Sequence, residues 1–305
     1  MTDPSSPRSV PGAPGLRLPG GPVLVGVDGS PPSLHAIDLA ADEASLWGRP
    51  LRVVYAYRPG GTWASPARPR PPVSAEPEAV LAWVRERLQA HQPCVPWTYR
   101  AAEGDAVTVL VGESREAALT VVGHRGIGGY AGLAAGSVSQ QLVTRCQSTV
   151  IVARGATAAH GAPIVVGVDA AVPHMHTGPA AYALAEAALR RVRVEAVYAW
   201  TPVGDRDSPP DANQATGAKR AAEALAAALE AVVRAYADVG LKSIVETTTD
   251  PAAALVAATN GAGLVVIGAH QGAPLHQLQP GSLGAALLRK SSCPLAVVRR
   301  LAAVG

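Results

Sequence analysis

The 305-residue chain contains no phenylalanine, and aromatic residues make up only 4% of it. Its cores must therefore be filled by Ala, Val and Leu, small side chains that let helices lie close on a parallel sheet. Charge is also sparse: 16% of residues are charged against 48% hydrophobic, which excludes general disorder. The net charge is +3 and no run of Lys and Arg forms a stripe, so the footprint of a nucleic-acid-binding surface is missing. The three cysteines, Cys94, Cys146 and Cys293, are far apart and form no CxxC pair. That argues against a disulfide framework or a cysteine zinc site and fits reduced thiols in a cytoplasmic protein. No apolar run approaches the ~18 residues of a membrane span, because each breaks at Gly, Pro or charge. Residues 1–20, rich in Pro and Gly, lack the apolar core of a signal peptide and read as a disordered tail.

What the chain does have is arranged twice. At ~100–200 residues per domain its length fits two domains. VLVGVD at 23–28 returns as IVVGVD at 164–169, an offset of 141. VVYAYRP at 53–59 matches AVYAWTP at 196–202 with an offset of 143. VVGHRG at 121–126 matches VIGAHQ at 266–271, and GSVSQQL at 136–142 matches GSLGAAL at 281–287, both offset by 145. The drift marks small loop insertions, while the order of the four blocks stays fixed.

Each repeat reads as the same series of elements. A β-branched run ending at Asp28 or Asp169 leads into a helix over 33–47 or 180–190. A second strand (51–56, 192–199) gives way to a Pro-rich loop and a long helix (77–91, 215–239). A weaker strand follows (94–99, 242–246), then a helix entered near Gly104-Asp105 or Asp250-Pro251. LTVVG or LVVIG comes next, then a Gly-containing loop, a last helix and a closing strand, TVIVAR or LAVVRR. Short apolar runs alternating with helices predict buried parallel strands and right-handed crossovers. The fold class is therefore α/β, with two tandem doubly wound five-stranded parallel-sheet domains joined by a linker over 153–163. In such folds ligands bind at the carboxyl ends of the strands, near the switch in strand order.

The fourth strand of the first repeat ends in VVG and continues into a loop with the spacing G-x2-G-x9-G-S, formed by Gly123, Gly126, Gly136 and Ser137. Glycines there let backbone N–H groups approach a polyanion without a Cβ in the way. Gly136 and Ser137 open the last helix, whose free N–H groups and dipole attract negative charge. Ser137 adds a hydroxyl, and Arg125 inside the loop could meet a terminal phosphate. Capping and ligand binding are compatible at both Asp28 and Ser137. His124 reads either as a solvated loop residue or as part of the site.

The ordered set VGVDGS, VVYAY, VVGHRG and GSVSQQL resembles the ATP-binding branch of the universal stress protein family. The likeness covers nearly all of both repeats, 21–154 and 162–300. It implies a Rossmann-like domain of the adenine nucleotide alpha hydrolase type, occurring twice. It also implies an ATP site in which Asp28 lies near the ribose and the Ala56 backbone reads adenine. Val122 and Gly123 would flank the nucleoside. Gly126, Gly136, Ser137 and Val138 would hold the phosphates together with a divalent cation such as Mg²⁺. The closing strands are expected to pair, making an intrachain pseudo-dimer. Association of whole chains and the identity of a protein partner stay open.

The second repeat keeps Asp169, Gly268, Gly281 and Ser282, but Gln271 stands where the first has Gly126. This weaker site is expected to bind nucleotide poorly or not at all. His174, His176 and His270 are joined by no cysteine or carboxylate cluster, so no metal site is expected. No Walker loop, kinase signature or Gly-x-Ser-x-Gly elbow is present. A nucleotide-dependent stress-response and signalling module is the expectation. Slow ATP hydrolysis, nucleotidyl transfer on a related fold and a nucleotide-free interaction module remain as alternatives.

Overall fold

Uninterrupted Val, Ile and Leu runs in this chain form strands covered on both faces, the pattern that helices on either side of a parallel sheet demand. The computed structural model describes residues 18–58, 77–126, 136–155, 159, 161–170, 177–201, 210–269 and 282–299. Most of the expected tail, the first Pro-rich loop, Gly281, Gln271, His174, His176 and His270 lie outside those residues.

The chain divides into two compact units after Arg154. The first comprises β1 (Val23–Val27), α1 (Pro31–Leu46), β2 (Leu51–Tyr57), α2 (Pro77–His91), β3 (Trp97–Glu103), α3 (Ala106–Glu113), β4 (Leu119–Gly123), α4 (Ser137–Arg145) and β5 (Thr149–Ala153). Its strands run in the order β3-β2-β1-β4-β5, and every pairing is parallel. The second comprises β6 (Ile164–Gly167), α5 (Thr177–Arg190), β7 (Val194–Trp200), α6 (Pro210–Ala235), β8 (Leu241–Thr247), α7 (Pro251–Ala258), β9 (Leu264–Ala269), α8 (Leu283–Lys290) and β10 (Leu295–Arg299). Its order, β10-β9-β6-β7-β8, is the same topology, again parallel throughout. In each unit the first two helices pack together, as do the last two, which is the doubly wound arrangement.

The glycine in VLVGVD and IVVGVD has a packing cause that recurs. A Cβ on Gly26 would lie 2.7 Å from Leu110 of α3 and 3.3 Å from Val122 of β4. A Cβ on Gly167 would lie 2.8 Å from Leu255 of α7 and 3.4 Å from Ile267 of β9. The third helix thus sits directly on the first strand in both units. Fully buried Leu24, Ile37, Leu51, Leu119 and Ile151 fill the first core, and Ile164, Leu184, Leu225 and Leu264 the second. Each such side chain contributes about 1.5–3 kcal/mol relative to leaving it in water.

Several boundaries differ from the expectation. β3 begins at Trp97 instead of 94, because 94–96 form a turn closed by Val95 N–H donating to Gln92 O at 3.3 Å. Neither β3 nor β8 is continuously apolar, since each pairs on one side within its unit and alternates in exposure. α6 starts at Pro210, five residues early, and stops at Ala235, where turns replace it before Val239. Proline at a first helical position costs no hydrogen bond, so it starts the helix rather than delaying it.

Asp105 caps α3, accepting from Val107 N at 3.1 Å and Thr108 N at 3.2 Å, and Asp250 caps α7 through Ala253 N at 3.0 Å. Asp105 also pairs with Arg58 at 3.1 Å, but that pair is solvent-exposed and contributes little. Asp105→Ala should therefore cost about 1 kcal/mol, read as a lower urea midpoint at unchanged slope. Asp105→Asn, which keeps the cap and removes the charge, should recover most of the loss. Equal loss in both variants would show that the Arg58 pair matters more than the cap.

Candidate functional site

The switch in strand order within the first unit falls between β1 and β4, whose carboxyl ends carry Asp28 and Gly123. Both ends are tightly closed. A Cβ on Gly123 would stand 2.8 Å from Pro32 O at the start of α1, so strand and helix approach to backbone distance. A Cβ on Gly126 would overlap Asp28 Oδ2. Neither glycine has a positive φ, nor does Gly136. The loop's need for glycine is thus steric rather than torsional.

Asp28 accepts from Ser30 N–H at 3.0 Å, and this bends the chain through Gly29 (φ 81°) into α1. The cap of α1 is Ser30, whose hydroxyl accepts from Ser33 N at 3.4 Å, so capping does not account for Asp28. At α4 the cap is Gly136, with φ −75° and ψ 149°, and no side-chain hydrogen bond closes it. Ser137 is the first residue of that helix and is exposed; Val138 follows, half-buried. The start of α4 is pinned to the end of β4 instead. Gly136 N–H donates to His124 O at 2.8 Å. Ser139 Oγ lies 2.9 Å from Gly136 O and 3.3 Å from His124 O. Ser139, a buried serine that sequence reasoning passed over, therefore fixes where the helix N-terminus faces. Its signal was a polar residue on the buried side of a short helix.

Basic side chains stand near this N-terminus. His124 is half-buried, its N–H donates to Ala153 O at 3.1 Å, and its Nδ1 lies 3.2 Å from the same carbonyl. A carbonyl only accepts, so Nδ1 carries the proton. Burial, helped by Arg154, Arg125 and His35, holds the imidazole pKa below its usual value. His124 is thus tied into the fold and is not the solvated loop residue that one reading allowed. Arg154 follows β5 and is itself lowered, first by burial and then by Arg125. The buried Nε of Arg125 has no hydrogen-bond partner among the described residues.

Ala56 lies near the end of β2. Tyr57 O accepts from Gly104 N–H at 2.8 Å on the β3 side. Alternate residues of a parallel strand bond to alternate neighbours, so Ala56 turns its backbone toward β1, whose last residue Val27 pairs with Tyr55. Val122 is buried in β4 between Gly26 of β1 and Val152 of β5, with a methyl 3.3 Å from the position of a Cβ on Gly26, so its side chain belongs to the core. On the neighbouring face Tyr55 and Tyr57 stack at 6.1 Å. Tyr99 donates to Pro77 O at 2.9 Å, and burial pushes its hydroxyl pKa up to about 12.

The universal stress protein family model matches residues 21–154 and again residues 162–299. The chain belongs to the universal stress protein family. A universal stress protein of Mycobacterium tuberculosis strain H37Rv is 33% identical over 307 residues, covering 91% of this chain and 94% of the relative. A second from that strain is 29% identical over 299 residues, covering 91% and 96%. A crystal structure of a universal stress protein from Archaeoglobus fulgidus shares the fold at 15% identity. It covers 93% of this chain and 97% of that one with a TM-score of 0.67. This is a tandem member, with two universal stress protein domains in one chain.

The second domain of this universal stress protein is built differently at the matching places. α8 begins at Leu283, one position later than α4 by the repeat, and Ser282 becomes its cap. The Ser282 hydroxyl accepts from Ala285 N–H at 3.2 Å, so the protein's own side chain occupies a donor that α4 leaves without one. Ala269 replaces His124, and Ala170 replaces the positive-φ Gly29. Asp169 is exposed and helps raise the Tyr198 pKa after burial, and Gly268 lies within β9. The Trp200 ring lies where a Cβ on Gly217 of α6 would be.

The two loop glycines should differ under substitution. Gly123→Ala pushes a methyl into the fixed backbone of Pro32 and should cost about 1–3 kcal/mol of stability. Gly126→Ala meets the end of the Asp28 side chain instead of fixed backbone, so relief requires only that the carboxylate shift and loosen its bond to Ser30 N–H, and it should cost less. Chemical denaturation of both variants tests this, and equal costs would contradict it.

Proposed function

We propose that the first domain binds ATP at the carboxyl ends of β1, β2 and β4, and that occupancy governs which partners the protein meets. The observation that carries this reading is the start of α4. A helix N-terminus without a side-chain cap is held by the His124 carbonyl beside the backbone of 124–126, with His124, Arg125 and Arg154 around it. Unsatisfied helix N–H groups together with the positive end of the helix dipole favour a phosphate. Gly123 and Gly126 keep side chains out of the approach. The residues present fit an adenine nucleotide: Asp28 toward the ribose, the Ala56 backbone toward the base, and Val122 and Gly123 beside the nucleoside. Gly126, Gly136, Ser137 and Val138 would take the phosphates. Mg²⁺ would arrive with the phosphates and neutralise part of their charge.

Family membership supports this reading without deciding the ligand. The described residues contain no group of three or more His, Cys, Asp or Glu placed to hold a metal ion, so the cation belongs to the nucleotide in this account. In the second domain the Ser282 cap and the loss of the His124 counterpart leave Asp169, Gly268, Gly281 and Ser282 as a weak site or none. The role is binding and signalling in the cytoplasm, with ATP ordering the loop after β4 and so the surface that a protein partner reads.

Gly136→Asp separates binding from folding. The backbone angles at Gly136 suit an N-cap aspartate, while its Cβ would stand 3.3 Å from Arg125 Cα, so the two effects oppose and the variant should stay folded with a stability change within about 1 kcal/mol. Its carboxylate would occupy the place of a phosphate, and Mg-ATP binding measured by calorimetry should fall at least about 100-fold. Unchanged ATP affinity in a folded Gly136→Asp protein would refute the site.

A further inference from the structure

The outer edge of the second unit's sheet is β8, which pairs with β7 alone among the described strands. Val194 N–H donates to Gly240 O at 2.8 Å, and Thr248 N–H donates to Trp200 O at 2.9 Å. Alternate residues of a parallel strand bond to the same neighbour, so the backbones of Lys242, Ile244 and Glu246 turn toward β7. Those of Leu241, Ser243, Val245 and Thr247 turn outward, with N–H and C=O groups that β7 does not take. Lys242, Ile244 and Glu246 share one face of the strand; the two charges are exposed and Ile244 is half-buried. The ion pairs described in the second unit, Arg190–Glu186, Arg193–Glu195 and Arg234–Glu230, use neither charge. Glu195 stands beside Lys242 by register, but its Oε1 accepts from Arg193 Nε at 3.1 Å and from Nη2 at 3.0 Å. A lone edge lysine discourages strand pairing, whereas this edge carries a lysine and a glutamate placed evenly about Ile244.

From this pattern we propose that β8 is a self-complementary docking edge, to which a second copy of this chain adds its own β8 antiparallel about a two-fold axis at Ile244. That register sets Lys242 opposite Glu246 of the partner subunit, twice by symmetry, with the two Ile244 side chains meeting between them. Ser243 and Val245 would exchange backbone hydrogen bonds across the axis, as would Leu241 and Thr247. The charge and isoleucine pairs then fall at the positions without backbone bonds, where opposed side chains approach most closely. Moving the axis to Ser243 or Val245 would break both charge pairs, so the pattern selects one register. The matching edge of the first unit, β3, lacks it. There the axis would fall at Arg100, setting like charges opposite each other, and Thr98 and Ala102 stand in the places of Lys242 and Glu246. Arg100 is also held by Glu113 within the unit. The docking edge thus belongs to the second domain and is independent of the nucleotide site.

The test is sedimentation velocity of the full chain over a concentration series. Wild type should pass from monomer to dimer as concentration rises. Lys242→Glu sets like charges opposite each other on both sides of the axis and should weaken the dimer at least about tenfold. Lys242→Glu combined with Glu246→Lys restores opposite charges and should return the dissociation constant to within about threefold of wild type. Ile244→Arg, which copies the centre of the β3 edge, should abolish the dimer, while Thr98→Glu on β3 should leave it unchanged. A monomer at every concentration overturns the proposal. A dimer that Lys242→Glu leaves unchanged places the interface elsewhere and overturns it too, as does a double variant that does not recover. Should Ile244→Arg not fold, the charge exchange alone decides.

Discussion

The carboxyl ends of β1 and β4 leave no room for a side chain between them, and the rest of the first domain depends on that closeness. Gly123 meets the backbone of α1, and Gly126 meets the Asp28 carboxylate. Both contacts arise where the strand order reverses, the one place in a doubly wound sheet where two crossovers leave in opposite directions. Because the strand ends are fixed there, His124 can hold the first turn of α4 through its carbonyl, and the helix needs no side-chain cap of its own. Among the described residues, no side chain takes the donors that a serine or aspartate cap would satisfy.

The second domain shows what happens when that arrangement is relaxed. It keeps the strand order, the Gly167–Leu255 packing and the parallel register. It exchanges the open cap for Ser282 and the imidazole for Ala269. Those exchanges leave the core intact, because core packing lies on the two faces of the sheet while the exchanged residues lie past the carboxyl ends of its strands. Fold and site are separable in this chain, since the second domain keeps the architecture of the first while its loop-end residues differ.

The order and type of the elements were legible because β-branched runs of four to seven residues alternate with helical stretches, and because the pattern occurs twice. Boundaries were less so. The start of β3 depends on a turn at 94–96, and the start of α6 on a proline that reads as a breaker but works as an initiator. At the candidate site, the glycine spacing and Asp28 pointed to the carboxyl ends of β1 and β4, where the structure brings Asp28 and Gly126 together. Their physical reasons were not visible, since a steric demand at Gly126 and a torsional one leave the same letter in a sequence. Ser139 carried no motif. Its role became apparent only when β4 and α4 were brought together, because it comes from the His124 carbonyl at the end of β4.

The central claim is that one of two similar domains carries a working nucleotide site. Denaturing freshly purified protein and quantifying released nucleotide per chain by chromatography, before and after loading with millimolar Mg-ATP, addresses it most directly. The account predicts about one ATP per chain. Two per chain would contradict the reading of the second domain. None after loading would contradict the site itself and move the function to a nucleotide-independent interaction module on the same fold.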